Sequence, residues 1–497
     1  MRISSFGMMT ALVLGACSGD DDKDTTGSDT GDTGTTVSTG LIQDFVVEQG
    51  DITGVMVATF TTTSEATVSL SYGLSGEDLS TDHPQTSTGT DHRMVVLGVK
   101  TGTEYDFQAT DDDSGETSNV VTSRVAAADT SIPVFSQRNW QPELACQDDG
   151  YVMLSYIGNN NSGIAILDRD ADVVWALPFA NTNVQLSRVR PSLDGSSVIY
   201  TTADGNRQDQ IGEHVKQPLD GSAAEVLSTP TSHHDFVELP DGTIGWLDYA
   251  PFATYDNCSK GTVLAVPGQE VALDRIQEAA FGGATATIYD MWTDYLSPLK
   301  CDVDDEGFLG AQGVFDLSHS NSLAYRASDD AYFHMSRWHD AFYKVDRTTG
   351  ALVWELGGQH NDFTPAKGQD PTELFNHSHM SEIWDDGLLI FNNNDYGPDD
   401  PGPSIVQEYS LDETAMTWEL AWSWESDKGF EALLGDARRM PQSECDNVLI
   451  SLSGSGIVRE TTRDGEFAWA VSAPLGNVTS RVHFLPDIYD LTTAFHE

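Results

Sequence analysis

The strongest constraint on this fold is a unit that returns six times after residue 128. Each copy runs an apolar strand, an Asp/Gly turn, a second apolar strand, a strand ending in Asp, and a strand bearing Trp. The first copy reads Tyr151-Val152-Met153-Leu154, Ile164-Ala165-Ile166-Leu167-Asp168 and Val173-Val174-Trp175. The second, third and fifth turn at Leu193-Asp194-Gly195, Leu239-Pro240-Asp241-Gly242 and Asp385-Asp386-Gly387. The fourth contains Tyr343-Lys344-Val345-Asp346 and Leu352-Val353-Trp354; the sixth runs from Val448 to Trp469. A spacing of roughly 50–70 residues is the signature of a repeat architecture. Six copies of four short strands predict an all-β six-bladed β-propeller over 128–497. Helical periodicity is scarce, and Ala272–Ala279, in an insertion of the third unit, is the stretch that reads as a helix.

The chain ahead of the repeats divides in three. Residues 1–17 have a charged Arg2 and an apolar run ending Leu14-Gly15-Ala16-Cys17. This is an export signal in outline, and its end resembles the bacterial lipobox. The resemblance implies cleavage before Cys17 and a lipidated thiol, hence a lipid-anchored lipoprotein of the cell envelope. Ser18 after the cysteine favours the outer membrane, at its periplasmic face or the cell surface. No later apolar run approaches the ~18 residues that a membrane helix needs. Residues 18–40 are a Ser/Thr/Gly/Asp linker with almost nothing apolar, the composition of a flexible tether. Residues 41–127 alternate like short strands and predict a small β-sandwich. Leu97 to Tyr105 resembles the fibronectin type III pattern, with Tyr105 as a tyrosine corner. Of the cysteines beyond Cys17, Cys258 and Cys301 share one insertion and are the favoured pair; Cys146 and Cys445 are left to join the first and last blades.

The charge balance is 25 Lys+Arg against 78 Asp+Glu, net −53. That argues against nucleic acid and against electrostatic docking on anionic lipid. A solvated acidic surface explains it, with structural calcium as the other use of so many carboxylates. No other cofactor is implied.

The residues between His319 and Arg337 read as a β-hairpin turning at Ser328-Asp329-Asp330. Its closure sets His319 across from Arg337 at one end. His234 lies eight residues before Gly242, and His379 eight before Gly387. Three blades thus carry a His at one register, and equivalent positions in a ring converge on its axis. His233 competes with His234 for that position. Three His suit Zn²⁺ or Cu²⁺, but Arg337 beside them argues against a bare cation and for an oxyanion substrate, so no metal is expected.

These stretches carry a resemblance. His233-His234-Asp235-Phe236-Val237-Glu238-Leu239-Pro240-Asp241-Gly242, then Asp316-Leu317-Ser318-His319-Ser320-Asn321-Ser322-Leu323 with Ser336-Arg337, then His379 with Phe391-Asn392-Asn393 resemble the bacterial arylsulfate sulfotransferase family over most of 128–497. The resemblance implies transfer of a sulfuryl group from an aryl sulfate to a phenol, independent of the nucleotide sulfate donor. It implies His379 as the residue that becomes sulfohistidine and His319 as the general acid and base. Arg337 and His234 would hold the sulfuryl oxygens, with Asn321 and His233 touching substrate. Ser378 and Asn392 to Asn394 depart from the family pattern and leave the acceptor class open. Two rivals exist. Thr349–Trp354 resembles the tryptophan motif of quinone-dependent dehydrogenase propellers, but that motif stands clearly once. A surface-anchored propeller that binds ligands without catalysis is the alternative.

Overall fold

The computed structural model describes residues 40–158, 161–179, 184–204, 212–249, 253–254, 270–294, 314–395, 401–441 and 445–495. The export signal, Cys17, the linker to Thr39, Cys258 and Cys301 lie outside them. Gly40–Glu497 forms one compact unit. Among the described residues no helix is long and apolar enough to cross a membrane.

Six antiparallel sheets form the propeller. The strand nearest the axis in the first to sixth blades is Val478–Leu485, Val184–Pro191, Ser232–Glu238, Ser320–Arg326, Met380–Trp384 and Asp436–Arg439. The ring is closed twice by exchange. Val478–Leu485 comes from the end of the chain and pairs with Tyr151–Ile157 of the first blade. Ser136–Trp140 comes from ahead of that blade and pairs with Phe467–Ser472 of the sixth. A Cys146–Cys445 disulfide joins the same two blades, with Cα atoms 5.5 Å apart. The turn glycines meet a physical need: Gly195 and Gly242 sit at φ 76° and 79°, where a Cβ would clash with its own backbone.

The predicted helix over Ala272–Ala279 is overturned. Asp274–Ala279 is a strand of the third blade, paired with Ile244–Tyr249 on one side and Ala286–Asp290 on the other. It is buried on both faces, so it shows no period of two, and its apolar spacing mimics a helical stripe. Pairing on two sides outweighs local propensity.

In the front module, Met56–Leu74 and Ser80–Val96 form one long hairpin that changes neighbours at its middle. Ile42–Gln49 flanks its first half. Glu104–Asp111 and Val121–Arg124 flank the second, and the hairpin's own register slips between Thr61 and Ala66. The Tyr105 hydroxyl accepts from the Lys100 amide at 3.0 Å. The module is fused to the propeller by packing: Ile52, Val55 and Leu97 share a core with Val174, Trp175, Ile488 and Leu491. Tyr489 accepts from the Leu97 amide at 2.9 Å.

Candidate active site at one channel mouth

The strands nearest the axis all start at one mouth of the channel and end at the other. Near their starts, four of the six slip register: between Leu186 and Arg188, Ser232 and Phe236, Ser320 and Ser322, and Thr479 and Val482. A bulge turns a strand and re-aims the side chains that it carries. His234 stands inside one of these bulges and His319 just ahead of another, with φ of 51° and 47°. Left-handed backbone at a residue with a Cβ costs roughly 1–2 kcal/mol, and such strain collects at functional sites. The two rings meet edge to face at 4.6 Å.

The hairpin of the fourth blade closes as the sequence predicts. Ser320 pairs with Ser336, and the Arg337 amide donates to the His319 carbonyl at 3.1 Å. The Arg337 guanidinium lies 4.9 Å over Trp338 and 4.0 Å from Asp395. Trp338 in turn lies edge-on to His319 at 5.7 Å and to His377 at 5.4 Å. The mouth therefore offers a cation, imidazoles and an aromatic wall together.

His379 is 3% exposed. Its Nδ1 is 2.6 Å from Asn393 Oδ1. Asn393 cannot turn around, because its Nδ2 donates to the Glu431 and Leu434 carbonyls at 2.7 and 3.0 Å. The Asn393 oxygen is therefore the acceptor, Nδ1 of His379 carries the proton, and Nε2 keeps its lone pair. Burial first, then the Arg337 charge, hold His379 well below the usual imidazole range, against the opposing Asn393 hydrogen bond. His379 is a neutral imidazole with a fixed tautomer, the state a nitrogen nucleophile requires.

His234 is likewise held well below the usual range, by burial and then by His319, His233 and His379. Its Nδ1 lies 2.8 Å from Nδ1 of His233, whose Nε2 faces Asp274 Oδ1 at 3.0 Å. Burial opposes ionisation of Asp274, but His233, Ser320 and Ser318 outweigh it and hold the carboxyl well below its ordinary value. One proton lies between the two Nδ1 atoms. A neutral His233, protonated on Nε2, accepts it and leaves His234 Nε2 bare. A protonated His233 donates it and leaves His234 Nε2–H as a donor to an anion.

Two residues expected on the substrate have other partners. His233 stacks on Tyr249 at 3.9 Å within the chain from Asp274. Asn321 is fully buried and donates to the Ser378 carbonyl at 3.0 Å, tying the fourth blade to the residue before His379. Sequence reasoning missed Arg481. It is 3% exposed and donates to the carbonyls of Asn321 at 2.9 Å, His379 at 3.3 Å and Gly435 at 3.3 Å. It thereby fastens three blades behind His379.

Among the described residues, the carboxylate triad Asp168, Asp170 and Asp172 is the one that looks built for a cation. Lys100 of the front module fills it, with Nζ at 3.0, 2.7 and 2.9 Å from the three. The stretch Asn392 to Asp400 lies partly outside the described residues.

No curated protein matches the chain. Among solved structures it is similar to streptogramin B lyase (12% identity, TM-score 0.35, 67% of this chain and 86% of that one). It is also similar to a putative 6-phosphogluconolactonase from Bacteroides uniformis (10% identity, TM-score 0.36, 85% and 100%), and to the β-propeller domain of Cps50 (Swd1) from Myceliophteria thermophila (9% identity, TM-score 0.36, 65% and 87%). The family model for Arylsulfotransferase (ASST) matches residues 141–470, from just ahead of the first blade into the last strand of the sixth, and the chain belongs to that family.

Proposed function

We propose that the protein moves a sulfuryl group from an aryl sulfate to a phenolic acceptor in two steps, through sulfohistidine at His379. The observation that carries this reading is the tautomer lock on His379, which leaves Nε2 as the nucleophile in a mouth shared with His319, His234 and Arg337. In the first step His379 Nε2 bonds to sulfur as the sulfur–oxygen bond to the aryl group breaks. His319 gives the departing phenolate its proton. In the second step His319 takes the proton from the acceptor phenol, whose oxygen attacks sulfur as the nitrogen–sulfur bond breaks. Arg337 and a His234 Nε2–H would hold the sulfuryl oxygens, where charge gathers in the transition state. Trp338 supports an aryl ring beside His319.

The test uses a chromogenic aryl sulfate with phenol. Phenol-dependent chromophore release, parallel-line kinetics and label trapped on His379 without acceptor are expected, and His379→Asn abolishes all three. Intersecting lines, or label absent from His379, would overturn the two-step reading.

The remaining assignments join this proposal. The partner exchange in the long hairpin and the Tyr105 tie support a fibronectin type III-like spacer. A lipid at Cys17 and the 18–40 linker would hold the enzyme at the envelope; loss of fatty-acid labelling in Cys17→Ser tests that anchor, and unchanged labelling refutes it.

A further inference from the structure

At the far mouth of the channel, the ends of the six axial strands enclose a cavity of 420 Å³. Arg190, Arg438 and His483 line it, with Trp384 and Phe495 on its walls. One inward position above Arg190 on the same strand stands Arg188, with no exposed surface. Arg481 follows, behind His379. Four guanidiniums therefore occupy the channel between the two mouths. Two carboxylates answer them. Asp235 faces Arg188 at 2.6 Å and Arg190 at 3.3 Å, and Asp436 lies 3.6 Å from both Arg438 and Arg481. Of the carboxylates on the cavity wall, Glu238 is paired with Lys216 at 3.0 Å, whereas Glu382 accepts from the Arg439 backbone amide at 3.0 Å and keeps its charge beside Arg438. With Arg439, which also lines the cavity, five guanidiniums face three carboxylates, and two positive charges remain in surplus.

The donors are also unspent. All three nitrogens of Arg188 are buried without a hydrogen bond, since its approach to Asp235 lies off the N–H axis. Nε and Nη2 of Arg438 and Nε of Arg190 are buried and unbonded too. Burying a cation is tolerated when it is paired and its donors are met; here each carboxylate is shared between two arginines, and the donors of Arg188 and Arg438 are unmet.

We propose that the lower channel is an anion site for a doubly charged tetrahedral oxyanion of the sulfate or phosphate class, held by Arg188, Arg190 and Arg438 and entered through the far cavity. The charge and size of such an ion match the surplus and the open donors, and oxyanions take guanidinium forks in bidentate fashion. The cavity has room for an organic group on the same ion, so a free ion and the acid group of a small organic anion share this chemistry. His483 senses the same field. Burial, then Arg438, Arg190 and Arg188 keep it well below the usual imidazole range, against a hydrogen bond to the Val189 backbone, so it is a neutral imidazole in the cavity wall. This site stands apart from the sulfuryl-transfer reading, because it uses none of His234, His319, Arg337 or His379.

Calorimetry on the full chain tests it with sodium sulfate and phenylphosphonate, at constant ionic strength and a pH where both are dianions. Saturable binding of sulfate is expected. It should persist within threefold in Arg337→Ala, which disarms the catalytic mouth, and weaken at least tenfold in Arg438→Gln. Equal or tighter binding of phenylphosphonate assigns the site to an organic anion, and weaker binding to the free ion. Selenate soaked into crystals of the wild-type protein locates the ion without any variant, and a selenium peak among Arg188, Arg190 and Arg438 is expected. Absence of binding, or a peak only beside Arg337, would overturn the proposal, as would binding lost in Arg337→Ala and kept in Arg438→Gln.

Discussion

Replacing Asn393 with Leu separates the tautomer of His379 from its position. Asn393 is fully buried and makes three bonds through its side chain: one from His379 Nδ1–H and two to the Glu431 and Leu434 carbonyls. Leu fills similar volume and satisfies none of them. Three buried groups left unpaired, at roughly 1–2 kcal/mol each, cost about 3–6 kcal/mol. A body of this size unfolds with an entropy of about 1 kcal/mol per K, so the melting temperature falls by ~3–6 °C and the protein stays folded at 25 °C. The kinetic effect is separate. Without its acceptor, Nδ1 loses about 1–3 kcal/mol of preference for the proton, and the proton moves to Nε2, where it blocks attack. At about 1.4 kcal/mol per decade, that is a ~5- to ~150-fold fall in kcat/KM for the aryl sulfate. Chromophore release measures the rate, and ¹⁵N-histidine spectra report which ring nitrogen is protonated. A folded Asn393→Leu protein with kcat/KM within threefold of wild type would refute the argument.

Other outcomes follow from the same contacts. Lys100→Met leaves Asp168, Asp170 and Asp172 facing one another. Wild type should melt at the same temperature with or without millimolar Ca²⁺, whereas the variant should melt lower and recover with Ca²⁺; a calcium effect on wild type alone would contradict the lysine plug. Burial pushes His214 down to about 3 and His334 down to about 4. The unfolded chain takes up protons near pH 6.5 while the native protein does not. Stability is therefore full above pH 7 and falls as pH drops toward these values, by roughly 2.4 kcal/mol for the pair between pH 6 and 5. Denaturant unfolding at stepped pH measures it, and a flat profile over that window counts against the assignment. The −53 surface repels an anionic donor but not a neutral phenol. Between 10 and 150 mM salt, kcat/KM for the aryl sulfate should rise several-fold while that for phenol stays level; a fall for the donor would show that the cationic mouth governs entry.

Much of this was legible in the chain because turn chemistry and period are local. Asp-Gly at Asp194-Gly195 and Asp241-Gly242 marks backbone that only glycine enters easily, and counting back from such turns aligned His234 with His379. The hairpin between His319 and Arg337 was readable for the same reason. What escaped depends on partners distant in sequence. Asn321 sits one bulge position from His319, and nothing local says that its amide reaches Ser378 on the next blade. Asp274 looked like part of a helix because the strand that pairs with it, Ile244–Tyr249, lies well before it in the sequence. Arg481 belongs to a strand supplied from the end of the chain, where the repeat count had already closed.

One signal was present and unused. Arg188-Val189-Arg190, Asp436-Ala437-Arg438 and Arg481-Val482-His483 each alternate polar, apolar, polar along a strand nearest the axis. Residues two apart share one strand face. The apolar members, Val189, Ala437 and Val482, are buried in the blades, so the polar members must face the axis. A chain with 25 Lys+Arg against 78 Asp+Glu gains nothing from burying four arginines unless they act there, since salt screens their field from outside within ~8 Å. Sunk between the low-dielectric walls of six blades, the same charges act with little screening. The acidic exterior and the basic channel therefore serve different ranges. The exterior sets solubility and repels anions weakly at a distance, and the channel holds at contact those that enter.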